Sequence, residues 1–445
     1  MFRVIIIGGS ITGLTLAHCL ELAHIDYVVL EKHSDILATV GGSLGLLPNA
    51  LRIFDQLGLY DRLSAVACPV SVAHMTYPDG FVFSDSFPAG IEKKQVLIMQ
   101  HVFGYPLSVL TRQELIQVLY EALPDQRKVR TGQRVTNIHL HLHGVTVTSN
   151  SGAQYHGQLA VGADGVHSTV RAQLWNAANA NSRDAITDKE KASLHADYSC
   201  VFGISSPLPG ICPGEQVVAC SKNATVLAFP GKDARVGWGL VQKLDKRYTY
   251  SEGTQLSKDS LLAVARLARG IHLYKDIKFG DLQDNTKQCS SAMLEEGLFE
   301  IWHHGRIVCI GDSVSKMTPN MAQGANTAVE SAAVLANAIY RIGRLGIPSI
   351  TDIGIELNPS LQDQKKRLRF IHAISFAITR VQTRQGLIRK FLGRYAYPYT
   401  PHAAVNTFSR VISGAPSLDF VPLPSRCPAP SYGYPDIMHI PRSQH

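Results

Sequence analysis

Apolar and polar positions alternate along this chain with two different periods, and the switches between them mark out its elements. Residues 4–7 (Val, Ile, Ile, Ile) form an apolar run too short for a helix and closed by Gly8 and Gly9, which predicts a buried strand ending in a tight turn. Leu14, Leu16, Ala17 and Leu20 then recur at helical spacing, and residues 27–30 form a second apolar run. Residues 307–310 repeat the first pattern and lead through a glycine-containing turn into a helix predicted over 325–339. Between these lie period-two segments. Residues 135–142 and 145–149 read as a hairpin turning at His143 and Gly144, and residues 198–204, 216–220, 225–229 and 236–241 as a mostly antiparallel sheet. After Gly346, Ile347 and Pro348 a polar linker precedes a helix over 362–392, with Leu368, Ile371, Ile374, Ser375 and Ile378 near one face. Seven prolines from Pro416 to Pro441 predict an extended tail.

The fold class that follows is α/β. A Rossmann-like nucleotide-binding domain is carried in three parts, 1–72, 104–185 and 290–345. A mostly antiparallel β-sheet substrate domain is inserted at 73–103 and 186–289, a helical segment occupies 346–412, and a proline-rich tail 413–445.

The candidate chemistry sits where the strands end. Gly8, Ser10 and Gly13 occupy the glycine positions of a dinucleotide fingerprint, with serine in place of the second glycine. The helix that follows presents unpaired N–H groups and a positive dipole end to a pyrophosphate. Glu31, about 18 residues beyond Gly13, is placed to accept ribose hydroxyls. A second segment, Asp164-Gly165-Val166-His167-Ser168-Thr169-Val170-Arg171, follows an apolar strand. A third brings Gly311 and Asp312 to a strand end, with Pro319, Gln323, Gly324, Ala325 and Asn326 after it.

In these three segments the chain resembles the single-component FAD-dependent monooxygenases of the p-hydroxybenzoate hydroxylase fold. Asp164, Gly165, Ser168, Val170 and Arg171 match that family's D-G-x-x-S-x-V-R segment, and Asp312 matches the aspartate that meets the flavin ribityl chain. The family's histidine is Ser315 here, and Ala322 stands where it has glycine. Residues 41–52, with Gly45, and 110–115, with the arginine Arg112 that reaches FAD in the family, extend the match. Together with residues 198–204 they make the chain most similar to fungal enzymes that epoxidise prenyl chains of indole-diterpene and meroterpenoid precursors. The resemblance spans roughly residues 2 to 345.

It implies FAD as cofactor, NADPH as co-substrate, and oxygen transfer from a flavin C4a-hydroperoxide to an electron-rich double bond. Tyr198, at the start of the first substrate-domain strand, is the catalytic candidate, for orienting substrate or hydroperoxide; a core tyrosine is the plainer reading. Phe202, Phe229 and Trp238 suit a lipophilic substrate or an ordinary sheet core. Three alternatives stay open: phenol hydroxylation on the same fold, a reductase or oxidase, and a flavin-binding scaffold without turnover.

Composition narrows the partners. The net charge is +8, but Lys and Arg are scattered rather than gathered with aromatics as a nucleic-acid binder needs. The eight cysteines contain no C-x-x-C pair, which fits a reducing compartment and argues against a zinc site or a disulfide framework. His139, His141 and His143 alternate along one strand face, and a solvent-facing hairpin edge explains them better than a metal. The chain enters its first strand by Phe2, leaving no room for a signal peptide, and no run of 18 apolar residues encodes a membrane span. A cytoplasmic enzyme with no obligate protein partner follows. Arg380, Arg384, Arg389, Lys390 and Arg394 make the end of the C-terminal helix basic, which leaves contact with an anionic membrane surface open beside packing onto the flavin domain.

Overall fold

The computed structural model describes residues 2–37, 42–83, 103–182, 184–249, 257–346, 348–399 and 403–426. Residues 84–102, within the first insertion, the tail from 427 onward and Gly41 lie outside the described residues, so the expectations placed there have no structural counterpart.

Arg3–Ile7 forms the expected buried strand because four consecutive apolar side chains can be covered only when both faces of the sheet are packed. It is central to a six-stranded sheet, flanked by Asp26–Leu30 and Leu159–Gly162, both parallel to it. Ile307–Cys309 adds in parallel to Leu159–Gly162 on one side, and Val129–Arg130 to Asp26–Leu30 on the other. The helix Ile11–Leu22 is buried over residues 11–20, between this sheet and the helices Arg112–Glu121 and Gln323–Gly343. Its lack of a polar stripe in the sequence has this cause: a helix covered all round is apolar all round.

The second sheet has seven strands in the order Ser315–Lys316, Thr286–Leu298, His195–Ser205, Val236–Thr249, Ala224–Pro230, Glu215–Ser221 and Val72–Thr76. All pairs are antiparallel except the last, where Val72–Thr76 runs parallel to Glu215–Ser221. Its two faces differ. Trp238 packs with Phe279, Leu261 and Leu282 beneath the helices Lys258–Leu267 and Phe279–Asp284, and its indole N–H donates to Thr286 Oγ1 at 2.9 Å. Phe202 and Phe229 belong to the opposite face, with Tyr77, Tyr198, Cys200 and Cys220. Trp238 is therefore core, and only the two phenylalanines remain on a face that can meet a ligand.

The C-terminal helix starts earlier and ends sooner than its sequence pattern predicts. Ser349 opens it with a reciprocal capping box to Asp352, and it runs Ile350–Gln382, straight through Pro359. A short helix, Gly386–Phe391, follows. The long helix packs on Gln323–Gly343, burying Ile353, Leu357, Leu361, Leu368 and Ile371. Its basic end is not one exposed face. Arg380 is inward, paired to Glu296 and Asp197 at 2.9 Å, and Arg394 is turned onto Asp79 at 2.9 Å and over the Phe81 ring. Arg389 and Lys390 are exposed, beside Leu387, Ile388 and Phe391 at 83, 76 and 60 % exposure. Among the described residues no helix is long and apolar enough to cross a membrane.

The hairpin Val135–Leu140 and Val145–Ser149 forms as expected. His139 and His141 meet edge to face at 4.7 Å, and His141 Nε2 engages Thr146 Oγ1 at 2.8 Å, an arrangement of paired rings rather than converging ligand atoms. Among the described residues, His195, Asp197 and Glu296 do converge, but Arg247 and Arg380 already occupy the two carboxylates.

Candidate functional site

A cavity of about 620 Å³ opens at the carboxyl end of the parallel strands, between the N-termini of Ile11–Leu22 and Gln323–Gly343. Each part of it has a local cause. Gly8 turns with φ +112°, and a Cβ there would stand 2.3 Å from the Ala163 carbonyl oxygen. Gly13 lets the helix lie on the strand: a Cβ would come within 1.9 Å of the Gly8 carbonyl oxygen. Glu31 ends Asp26–Leu30 with its carboxylate held from two sides, accepting from the backbone N–H of Gly9 at 2.7 Å and of His33 at 2.9 Å.

Ser10 does more than tolerate the missing glycine. Its hydroxyl makes no cap to its own helix and accepts instead from Arg112 Nη2 at 2.7 Å. Arg112 begins the helix Arg112–Glu121, whose first turn is closed by a capping box of Thr111 and Glu114. The serine thus ties the glycine turn to an arginine 102 residues away.

The second segment is a brace. Asp164 accepts from Ser168 Oγ at 2.5 Å and from the Val170 N–H at 3.1 Å, and burial raises its pKa. Arg171 is buried over the Phe299 ring and donates to the carbonyl oxygens of Ser313 and Val166, locking this turn to the loop of the third segment.

In that loop Gly311 takes φ +65°, and a Cβ would meet Thr12 Oγ1 at 2.6 Å. Asp312 beyond it is ion-paired with Lys316. Ser315, where the resembled family has histidine, bonds His372 Nε2 of the long helix at 2.8 Å, so an imidazole braces this loop from another element. Ala322 adopts φ 52°, ψ 20°, the left-handed conformation that explains glycine at this position in the family pattern. Asn326 donates to the Gly45 carbonyl oxygen at 2.9 Å and accepts from the Leu47 N–H at 2.9 Å, fastening residues 45–47 to the helix.

Of the residues singled out in the sequence, Gly8, Ser10, Glu31 and Arg112 line the cavity, and so do Asp164, Asp312, Gly324 and Ala325. Gly13 and Gly45 lie behind its wall and set the spacing of what does line it. Tyr198 is not brought there. It is fully buried, its hydroxyl engaged with Thr383 Oγ1 at 3.3 Å and by Gln385, which makes it a joint between the second sheet and the end of the long helix. The sequence reading missed Lys316, together with Lys32, His167 and Arg134. Arg134 was reachable only through topology: the Glu31 N–H donates to the Arg130 carbonyl and the Gln133 N–H to that of Glu31, which brings this stretch beside the carboxylate.

The arrangement fits an elongated, anionic dinucleotide. The helices Ile11–Leu22 and Gln323–Gly343 lack a side-chain cap where they meet the cavity, so their first N–H groups stay available. Gly324 has no atom within 4 Å of where a Cβ would stand, leaving backbone open to a close-lying group. Lys32, Arg112, Arg134 and Lys316 face Glu31, Asp164 and Asp312, a cationic surplus.

Comparison with known proteins agrees with this geometry. The model of a family described as "FAD binding domain" matches residues 1–218 and 257–343. The FAD-dependent monooxygenase sdgC of Emericella nidulans is 57 % identical over 95 % of this chain and 89 % of its own length. The FAD-dependent monooxygenase paxM of Penicillium paxilli is 41 % identical over 96 % of this chain and 88 % of its own. Among solved structures, Klebsiella pneumoniae HpxO complexed with FAD and uric acid superposes with a TM-score of 0.75 at 19 % identity, covering 93 % of this chain and 97 % of that one.

Proposed function

We propose, for a chain that belongs to the FAD binding domain family and is an FAD-dependent monooxygenase, that oxygen is delivered to a double bond of a prenyl or terpenoid chain, giving an epoxide in secondary-metabolite biosynthesis. FAD, when bound, supplies the transfer of electrons from NADPH to O2 and of one oxygen atom to substrate. The chain's own residues do the rest. Glu31 takes the ribose hydroxyls, the N-terminus of Ile11–Leu22 the pyrophosphate, Asp312 the ribityl hydroxyls, and the N-terminus of Gln323–Gly343 stabilises negative charge on the ring.

The observation that carries epoxidation is the chemistry of the second sheet's face that holds Phe202 and Phe229. Phe202 and Phe229 are its half-buried aromatics, and a Cβ on Gly42 would stand 3.3 Å from the Phe202 ring, which sets this face against the cofactor domain. The titratable groups in that cluster keep their protons: burial pushes the Cys200 and Cys220 thiols up to about 12 and raises Tyr77 and Tyr198. The Tyr77 hydroxyl already donates to the Gly393 carbonyl at 2.6 Å. Among the described residues this face offers no free base, which suits an alkene, since an alkene needs no deprotonation, and its apolar character keeps water from the reacting centre.

A second reading, hydroxylation of a phenol, draws on His167, which lines the cavity 3.9 Å from the Glu295 carboxylate and offers an imidazole–carboxylate relay. The test is turnover of the FAD-reconstituted protein with NADPH and isotope-labelled O2 on a panel of prenylated aromatics. Label in an acid-opened diol supports the epoxide; label on the aromatic ring sinks it in favour of the phenol reading. Asp312→Ala is expected to purify without FAD, and a fully flavinated variant would remove the ribityl assignment.

The partner of this chain is, on this reading, a small lipophilic molecule. Contact with an anionic membrane surface is proposed through Gly386–Phe391, where Leu387, Ile388 and Phe391 stand exposed beside Arg389 and Lys390. Sedimentation with phosphatidylserine vesicles, lost in Leu387→Asp/Phe391→Asp, checks it; a protein that stays in the supernatant refutes it.

A further inference from the structure

The cavity has two ends. One is bounded by Leu30, Glu31, Lys32 and Gln133, beside the strand Asp26–Leu30. The other is bounded by Leu44, Lys316, Gly324 and Ala325, where the second sheet joins the cofactor domain. That junction is the two-residue strand Ser315–Lys316, paired antiparallel to Thr286–Leu298 with Lys316 opposite Gly297. The backbone of Lys316 is thus fixed by the substrate sheet while its side chain, 28 % exposed, reaches into the cofactor cavity.

The charges around it decide what it can do. Asp312 is its ion-pair partner, and Glu295, on the strand alongside, also attracts its charge. His167 stands 3.9 Å from Glu295. Arg112, another cation of the cavity, donates to the Ser10 hydroxyl. Burial works against the ammonium, but Asp312 and Glu295 outweigh it and hold its pKa above the ordinary lysine value. Lys316 is therefore a permanent cation on a flexible stem, at the cavity end that lies by an uncapped helix N-terminus and the bare backbone of Gly324.

We propose that Lys316 is the cation that compensates negative charge arriving on the flavin ring, and that Glu295, by competing for the same ammonium, sets how strongly it does so. This rests on the FAD reading above. Hydride transfer from NADPH breaks the nicotinamide C4–H bond and forms the flavin N5–H bond; NADP⁺ leaves and the ring gains one negative charge. Addition of sulfite at N5 places the same charge on the ring without a reductant. A cation close by in a partly desolvated cavity favours both, and removing it disfavours both.

The experiment uses the full chain reconstituted with FAD, titrated with sulfite and followed by bleaching of the flavin absorbance, with the two-electron midpoint potential measured against a reference dye. Lys316→Met is expected to weaken sulfite binding about tenfold or more, and the midpoint to fall by about 30 mV for each tenfold change in the reduction equilibrium. Lys316→Arg restores most of both. Glu295→Gln moves both the opposite way, because it frees the ammonium. Unchanged sulfite affinity and midpoint in flavinated Lys316→Met overturn the proposal. Should that variant lose FAD, Glu295→Gln decides: tighter sulfite binding upholds the proposal, and no change or weaker binding overturns it. A wild-type chain that takes up no FAD defeats the cofactor reading instead, a different failure.

Discussion

Two buried, charged junctions hold this molecule together, and they are built in opposite ways. The cofactor cavity is made of glycines, backbone N–H groups and helix ends left open: Ile11–Leu22 and Gln323–Gly343 both start without a side-chain cap. The seam between the long helix and the second sheet is closed on itself. Ser349 caps that helix, Arg380 satisfies Glu296 and Asp197 at 2.9 Å, and Thr318 bonds Thr379 at 2.7 Å. Thr111 and Ser168 close the starts of two further helices whose first residues, Arg112 and Thr169, line the cavity, so the open donors there are confined to Ile11–Leu22 and Gln323–Gly343. At the seam the paired charges satisfy one another, whereas the two open helix starts keep backbone donors for a ligand.

The sharpest way to break this contrast is Arg380→Ala. It strands the buried Glu296 carboxylate, while Asp197 keeps its pair with Arg247, and should cost about 3–5 kcal/mol of stability. FAD affinity of the folded fraction should stay the same. Thermal melting with and without FAD checks both, and a loss of affinity equal to the loss of stability would show that seam and cavity are one unit.

The next effect is a pH dependence where the two regions touch. Burial holds the His372 imidazole down at about 4, below its unfolded value near 6.5. The unfolded chain therefore binds a proton that the folded one refuses between these pH values. The stability is fully present above pH 6.5 and drains as pH falls toward 4, by about 3 kcal/mol. His372→Gln should flatten that part of the melting-temperature profile while still offering Ser315 a hydrogen-bond partner. A profile as steep as the wild type's would assign the acid sensitivity to other groups.

Within the cavity the effect is smaller and falls on the ligand. Glu31→Ala should weaken FAD binding by about 1.5–3 kcal/mol, the scale of a hydrogen bond to a charged group. It also leaves the Gly9 and His33 N–H groups without their acceptor, so a fall in the melting temperature of the FAD-free protein should accompany it. Fluorescence titration gives the first quantity and melting the second. Unchanged affinity would end the ribose role.

The same contrast explains what could be read from the residues alone. Strand, turn and helix at residues 3–22 are legible because Gly8 and Gly13 act on neighbours a few positions away, and the acidic residue at 31 follows at a near-fixed distance. The antiparallel strands of the second sheet are legible by their alternation. Lys316 is not, because it stands at a variable position of its motif and gains meaning only when Thr286–Leu298 pairs beside it. His372 is not, since the residue it supports is 57 positions away. Tyr198 and Trp238 were weighed as ligand-facing residues because aromatic character is visible in a sequence, whereas the face of the sheet it serves is set by register. The long helix starts twelve residues before its expected beginning, because the stretch that reads as a polar linker is capped by Ser349 and packed into helix straight through Pro359.

The smallest predicted effect tests the contrast at a single backbone position. Ala322 sits in the left-handed conformation directly before Gln323–Gly343, where a Cβ costs about 1 kcal/mol relative to glycine. Glycine there removes that strain but also loosens the unfolded chain, by about 0.4–1 kcal/mol. Ala322→Gly should therefore change stability by less than about 1 kcal/mol, in the stabilising direction. Its Cβ also marks how close Gly45 approaches, since a Cβ on Gly45 would stand 3.1 Å from it. If the alanine persists because its Cβ wedges residues 45–47 against the helix end, the glycine variant will melt slightly higher yet bind FAD more weakly. If both quantities improve, the wedge has no role, and glycine is the better residue in this chain for the reason it serves in the family pattern.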